Sequence, residues 1–157
     1  MHPSAQKVAD AAQQLGIAVE IREFSQTTRS AQEAADAIGC MVAQIVKSLC
    51  FVVSEQPIMA LVSGANQLDE RKLAQLCGVS RKQVKRADAD TVKAATGFSI
   101  GGVPPFGHVR PLPIYVDEDL LQFDEVWAAA GTPFAVFAIP PAMLVKASSG
   151  TPAFLKK

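Results

Sequence analysis

Ile45-Val46-Lys47-Ser48-Leu49-Cys50-Phe51-Val52-Val53, followed by Ser54-Glu55-Gln56-Pro57 and then Ile58-Met59-Ala60-Leu61-Val62-Ser63, is the stretch on which the fold turns. Both apolar runs are short and rich in β-branched residues. The polar, proline-bearing segment between them suits a turn, so two strands are predicted, Ile45 to Val53 and Ile58 to Ser63. Strand side chains alternate, which puts Ile45, Lys47, Leu49, Phe51 and Val53 on one face and Val46, Ser48, Cys50 and Val52 on the other. Both faces are apolar, as in a central strand covered on both sides. Lys47 is the exception, because an ammonium in such a setting is costly unless paired or neutralised. A ligand site would justify that cost. A lysine near the strand's start that snorkels to solvent, or pairs with Asp69 or Asp117, would account for it equally.

On either side of this pair, elements alternate at short intervals. Ser4 to Leu15 reads as a helix, with Val8, Ala11, Ala12 and Leu15 at helical spacing and Gly16 as its stop. Ile17 to Phe24 alternates like a half-buried strand. Ser30-Ala31-Gln32-Glu33 is a capping-box pattern opening a short helix that ends at Gly39. Asp69 to Leu76 is helical and stops at Gly78; Asp88 to Thr96 is helical, with Gly97 as its left-handed C-terminal residue. Leu112 to Asp117 reads as a strand, and Leu120 to Phe123 fits either state. Glu125 to Ala129 and Phe134 to Ile139 form a hairpin around Gly131-Thr132-Pro133, and Pro140 to Val145 closes as a helix with proline in its first turn. The pattern predicts an α+β domain over residues 1–157, a mixed, partly barrel-like β-sheet surrounded by short helices rather than a doubly wound parallel sheet.

Composition removes several function classes. With 49% hydrophobic and 19% charged residues the chain is not a disordered one. No apolar run reaches the ~18 residues of a membrane span, and the start Met-His-Pro-Ser-Ala-Gln-Lys has no apolar signal region, so a cytoplasmic protein without a membrane partner is expected. Cys40, Cys50 and Cys77 are odd in number and widely spaced, with His2 and His108 the only histidines. No disulfide framework or structural zinc is expected from that set. Cys50, between Leu49 and Phe51, reads as an inert buried thiol. Formal net charge is zero, so no global field draws nucleic acid, and DNA is not an expected partner. Arg81, Lys82, Lys85 and Arg86, close to Arg71 and Lys72, either meet a few phosphates or form a solvated face.

Gly97-Phe98-Ser99-Ile100-Gly101-Gly102-Val103-Pro104-Pro105 concentrates glycine and proline where backbone shape matters more than side chains. Such a loop can offer amide N–H groups to an oxygen, and a lysine beside it would add charge. Together they could stabilise the tetrahedral state of ester hydrolysis. A sharp sheet bend would require the same glycines. His108, between Gly107 and Val109, is the nearby base candidate and reads equally well as structural. The loop lacks the lysine and hydroxyl of a Walker-type phosphate loop and is not a Gly-x-Gly-x-x-Gly fingerprint, which disfavours nucleotide hydrolysis and hydride transfer.

Gly97-x-x-x-Gly101-Gly102-x-x-Pro105, Val46-Lys47-Ser48-Leu49 and Thr28-Arg29-Ser30-Ala31-Gln32-Glu33-Ala34-Ala35 resemble the YbaK/ProX-type prolyl-tRNA editing domain family, in order and spacing along nearly the whole chain. The resemblance extends to Leu112-Pro113-Ile114-Tyr115-Val116-Asp117, the Ala130-Gly131 turn and the closing helix. It implies a freestanding deacylase that hydrolyses the ester between a wrong amino acid and the terminal adenosine of a transfer RNA, often proline's. The substrate's own ribose hydroxyl assists, and no metal or organic cofactor is used. Lys47, Gly101 and Gly102 match the functional positions; Phe24, Met41, Val46, Gly97, Pro105, His108, Ala130 and Gly131 are implied around the substrate. Mischarged tRNA, through its acceptor end, and prolyl-tRNA synthetase are the implied partners. A non-catalytic binding or regulatory module of the same fold is the alternative. Cysteine-acting members carry a serine where this chain has Ala130, which disfavours a cysteine substrate.

Overall fold

A computed structural model of the chain describes residues 1–157. In chain order it contains α1 (Pro3–Gln14), β1 (Ile21–Glu23), α2 (Ala31–Ile38), β2 (Val46–Val53), β3 (Gln56–Ser63), α3 (Glu70–Cys77), β4 (Val84–Arg86), α4 (Ala89–Thr96), β5 (Ile114–Asp117), β6 (Val126–Ala129), β7 (Ala135–Ile139), α5 (Pro141–Ser148) and β8 (Thr151–Ala153). Short 3₁₀ turns occupy Val42–Gln44, Arg81–Gln83 and Glu118–Gln122.

The β2–β3 hairpin carries the larger sheet. Its turn is tighter than the sequence suggests: Ser54 and Glu55 alone reverse the chain, with φ of 48° and 70°, and Gln56 and Pro57 already belong to β3, paired with Val53 and Val52. Two successive residues at positive φ give the twist that antiparallel strands favour. Strand order is β4-β2-β3-β5-β8, antiparallel among the first three and parallel from β3 to β8. A second sheet has the order β1-β7-β6, all antiparallel. The two meet at a single bridge, Ile45 to Trp127. Neither sheet closes on itself, so the expected partly barrel-like sheet is instead a mixed sheet and a small antiparallel sheet packed together, with short helices around them.

Alternation along β2 separates two cores. Val46 and Cys50 join Met59, Leu61, Val116, Val126 and Phe137 between the sheets, with Val8 of α1 and Val92 of α4. Phe51 and Val53 face the other way, onto Ile58, Val62 and Leu73 of α3. Helix ends follow local chemistry. Ser30 Oγ accepts from the Glu33 N–H at 3.0 Å while Glu33 accepts from the Ser30 N–H at 3.3 Å, closing the capping box. Strand β1 is three residues long rather than the run Ile17 to Phe24, because only Ile21–Glu23 lies against β7. Leu120 to Phe123 falls largely in a 3₁₀ turn. No helix is long and apolar enough to cross a membrane.

Candidate functional site

A cavity of about 370 Å³ opens where the two sheets diverge. Strand β2 contributes Val46, Lys47, Ser48 and Leu49; β6 and β7 contribute Trp127, Ala128, Ala129 and Val136. Thr28 to Ala31 and Ala34 close one side, Ile100, Gly101 and Val103 another, and Arg86 of β4 stands at the edge. The wall holds three cationic side chains, Arg29, Lys47 and Arg86, and no carboxylate. A wider groove of about 960 Å³ shares Lys47, Leu49 and Arg86 with it and continues past Arg71, Arg81 and Lys157.

Lys47 lies on the outer face of β2, opposite Val62. Its Nζ donates to the Asn66 carbonyl at 2.5 Å, and neither Asp69 nor Asp117 forms an ion pair with it. Burial pushes its pKa below the ordinary lysine value; Arg86 adds to the fall and Asp117 opposes it. Asn66 is itself held, its Nδ2 donating to Asp117 Oδ2 and Asp119 Oδ2, both at 2.9 Å. Asp117 is buried and also accepts from the Ser63 and Asp119 amides.

The glycine loop is built as a clasp. Gly97, at φ 85°, ends α4. Gly101, at φ 95°, reaches the cavity beside Arg29. Gly102 packs against the β6–β7 turn so closely that an added Cβ would sit 2.7 Å from Thr132 Cα and N. Its carbonyl accepts from the Gly131 N–H at 2.9 Å and its amide donates to Ser99 O at 3.1 Å. The Gly102 amide is thus spent inside the loop, whereas those of Gly101 and Val103 have no acceptor within the chain. Pro105 is buried behind the loop. His108 Nε2 lies 2.7 Å from the Pro104 carbonyl, and burial lowers the imidazole's pKa, partly offset by that hydrogen bond. A neutral ring donating to Pro104 ties the loop down and leaves the histidine outside the cavity wall.

Of the residues expected around a substrate, Val46, Lys47 and Gly101 line the cavity; Phe24, Met41, Gly97, Gly102, Pro105, His108, Ala130 and Gly131 do not. Ala130 is fully buried in the core. Met41 is exposed at 61%. Phe24 lies under Arg22, whose guanidinium is 5.3 Å from its ring and 5.4 Å from that of Trp127. Gly131, at φ 94°, is pressed against the Ser4 backbone at the start of α1. Sequence reading missed Arg29, Ser48, Arg86 and Trp127 as wall residues. For Ser48 the signal was present, since it shares the inner face with Val46; for Arg86 it was not, because Val84-Lys85-Arg86 reads as solvated charge rather than as a strand. No three His, Cys, Asp or Glu side chains are grouped to hold a metal ion.

A small cavity with cationic walls is thus floored by the first half of β2 and bordered by the glycine clasp. The aminoacyl-tRNA editing domain family matches residues 25–147, and the chain belongs to that family, of the YbaK/ProX type. A solved structure described as that of a candidate trans-editing enzyme for prolyl tRNA synthetase is 45% identical, covers 100% of this chain and 99% of its own, and superposes with a TM-score of 0.94. The candidate Cys-tRNA(Pro)/Cys-tRNA(Cys) deacylase EbsC of Enterococcus faecalis is 27% identical over 128 residues, 81% of this chain and 77% of EbsC. The uncharacterized protein YwhH of Bacillus subtilis is 29% identical over 123 residues, 78% of this chain and 76% of YwhH.

Proposed function

We propose that the chain hydrolyses, in trans, the ester of a mischarged aminoacyl-tRNA, with tRNA-Pro bearing a small wrong amino acid as the substrate. The observation that carries this reading is the pairing of Lys47 with two unspent amides, Gly101 and Val103, around a cavity without a carboxylate. The amides face the carbonyl oxygen on which negative charge develops when water adds to the ester carbon. The ammonium of Lys47 adds positive charge beside that oxygen, and the guanidiniums of Arg29 and Arg86 attract the anionic acceptor end. Gly102 shapes the clasp rather than donating.

His108 is tied to Pro104, so the proton from the attacking water goes to the substrate, through the ribose hydroxyl beside the ester. The tetrahedral state then collapses with cleavage of the bond to the ribose oxygen, which leaves protonated. Apolar walls formed by Ala31, Ala34, Val46, Ala128 and Val136 limit the side chain to a small one. The alternative of a binding module without catalysis separates cleanly by kinetics. A panel of mischarged tRNAs incubated with limiting protein should show many turnovers on at least one; stoichiometric protection of the ester would mark a binding module instead.

A further inference from the structure

Three hydroxyl side chains line the cavity, and two are already committed. Thr28 Oγ1 donates to the Pro133 carbonyl at 2.8 Å, and Ser30 Oγ accepts from the Glu33 amide at 3.0 Å. Ser48 Oγ is buried and has no hydrogen-bond partner. It stands on the inner face of β2, the face it shares with Val46 and Cys50, in a cavity whose lining is mostly apolar, with Val103, Trp127, Ala128 and Val136 among its residues. Leaving a buried hydroxyl unpaired is unfavourable, and an unpaired hydroxyl in a mostly apolar wall is the arrangement that favours a ligand with one matching polar atom. Serine's χ1 has three staggered wells, so the hydroxyl can turn toward an entering group.

We infer that Ser48 selects aminoacyl esters whose side chain carries a hydroxyl, serine or threonine, over aliphatic ones of the same size. This rests on the deacylase reading above. The ammonium serves the ester oxygen and the guanidinium groups the anionic end of the substrate, and of the wall's three hydroxyls Ser48 alone is left for the side chain. A purely apolar pocket distinguishes poorly against an added hydroxyl, whereas one built to bond it rejects the analogue that lacks it. Serine and 2-aminobutyrate are the informative pair, because they differ only in a hydroxyl against a methyl.

The test is binding of 3′-deoxy-3′-(L-serylamino)adenosine and its 2-aminobutyryl counterpart, stable amides that cannot turn over as esters. Calorimetry or the fluorescence of Trp127, the one tryptophan in the chain and a wall residue, reports affinity. The full-length protein should favour the seryl compound by about tenfold or more. Ser48→Ala should bring the ratio to one or below, and Ser48→Thr should keep it above one. Because Ser48→Ala removes an unpaired hydroxyl, its melting temperature should not fall. Equal affinities in the parent, an unchanged ratio in Ser48→Ala, or a melting temperature that drops with Ser48→Ala each overturns the inference. Efficient deacylation of alanyl- or 2-aminobutyryl-tRNA without a seryl preference would sink the selectivity and leave the deacylase standing. Failure of both analogues to bind, with no ester hydrolysed, would remove both.

Discussion

Lys47 is aimed by Asn66: its ammonium donates to the Asn66 carbonyl at 2.5 Å, and the Asn66 side chain is clamped by Asp117 and Asp119. The clamp reaches further, since Asp119 also pairs with Lys156 at 2.8 Å. A lysine placed this way is neither free nor neutralised by a carboxylate. One of its three N–H donors is used, and the rest remain for a ligand. The cost of holding it there is visible in its lowered pKa, for which burial is the leading cause.

Lys47→Met should therefore separate function from stability. Turnover on the preferred mischarged tRNA should fall by about 10²-fold or more, the scale of losing one stabilising donor near a developing oxyanion. The melting temperature should hold or rise, because methionine keeps the packing and removes a desolvated charge. The pH dependence follows with its sign. A folded-state lysine pKa below the unfolded one means that, between the two, the unfolded chain binds more protons, so parent stability rises with pH across that alkaline window. Activity that needs the ammonium should decline on the alkaline side below the ordinary lysine range, and rates measured from neutral to alkaline pH should lose that limb in Lys47→Met.

Asn66→Ala should act through the lysine. Its carbonyl remains, but nothing fixes the direction, so kcat should fall by about tenfold with a smaller change in KM. Asp117 keeps its two backbone donors and loses a third, a loss of about 1 kcal/mol by chemical denaturation. The measurement specific to positioning is the alkaline limb, which should move relative to the parent. A limb that stays in place with kcat intact would show that the clamp is structural only.

Gly102→Ala tests the clasp. The new Cβ would sit 2.7 Å from Thr132 backbone atoms, and backbone yields less readily than a side chain. The loop must lift from the β6–β7 turn and stretch the hydrogen bond from Gly131, at a cost of about 1–3 kcal/mol. Gly39→Ala is the comparison: there φ is 85°, and nothing lies within 4 Å of the added atom, so only backbone strain of about 1 kcal/mol applies. Calorimetric melting of the two variants should rank them in that order.

The residues that made the sequence legible are those whose local chemistry matches their tertiary role. Ser30 and Glu33 cap α2 whatever packs against it, Gly39, Gly78 and Gly97 end helices by the same left-handed turn, and the apolar runs of β2 and β3 pair directly. What stayed hidden depends on distant partners. Strand β8 contains Pro152 and exists because its neighbours align with Tyr115 and Asp117 of β5. Strand β4 exists because Arg86, Lys85 and Val84 lie opposite Phe51, Val52 and Val53. The site shows the same division. Lys47 stood out as a charge in an apolar strand and Gly101 as part of an unusual loop. Asn66 and Arg86 are ordinary polar residues until the fold brings them to the lysine.

Arg86 offers a check on the acceptor-end reading that also reports on the lysine. Its guanidinium lies 5.5 Å from the Phe51 ring, at the junction of cavity and groove, whereas Arg81 is paired with Glu70. Arg86→Glu should weaken binding of mischarged tRNA and flatten the dependence of log affinity on log salt by about one unit for each phosphate that the arginine neutralises. Lys82→Glu, exposed and outside both depressions, should change the slope little. Because Arg86 helps depress the Lys47 pKa, its reversal should also carry the alkaline limb of activity to higher pH. A shifted limb with an unchanged salt slope would mean that Arg86 tunes the lysine without touching phosphate, and the acceptor strand would then have to approach from the Arg29 side of the cavity.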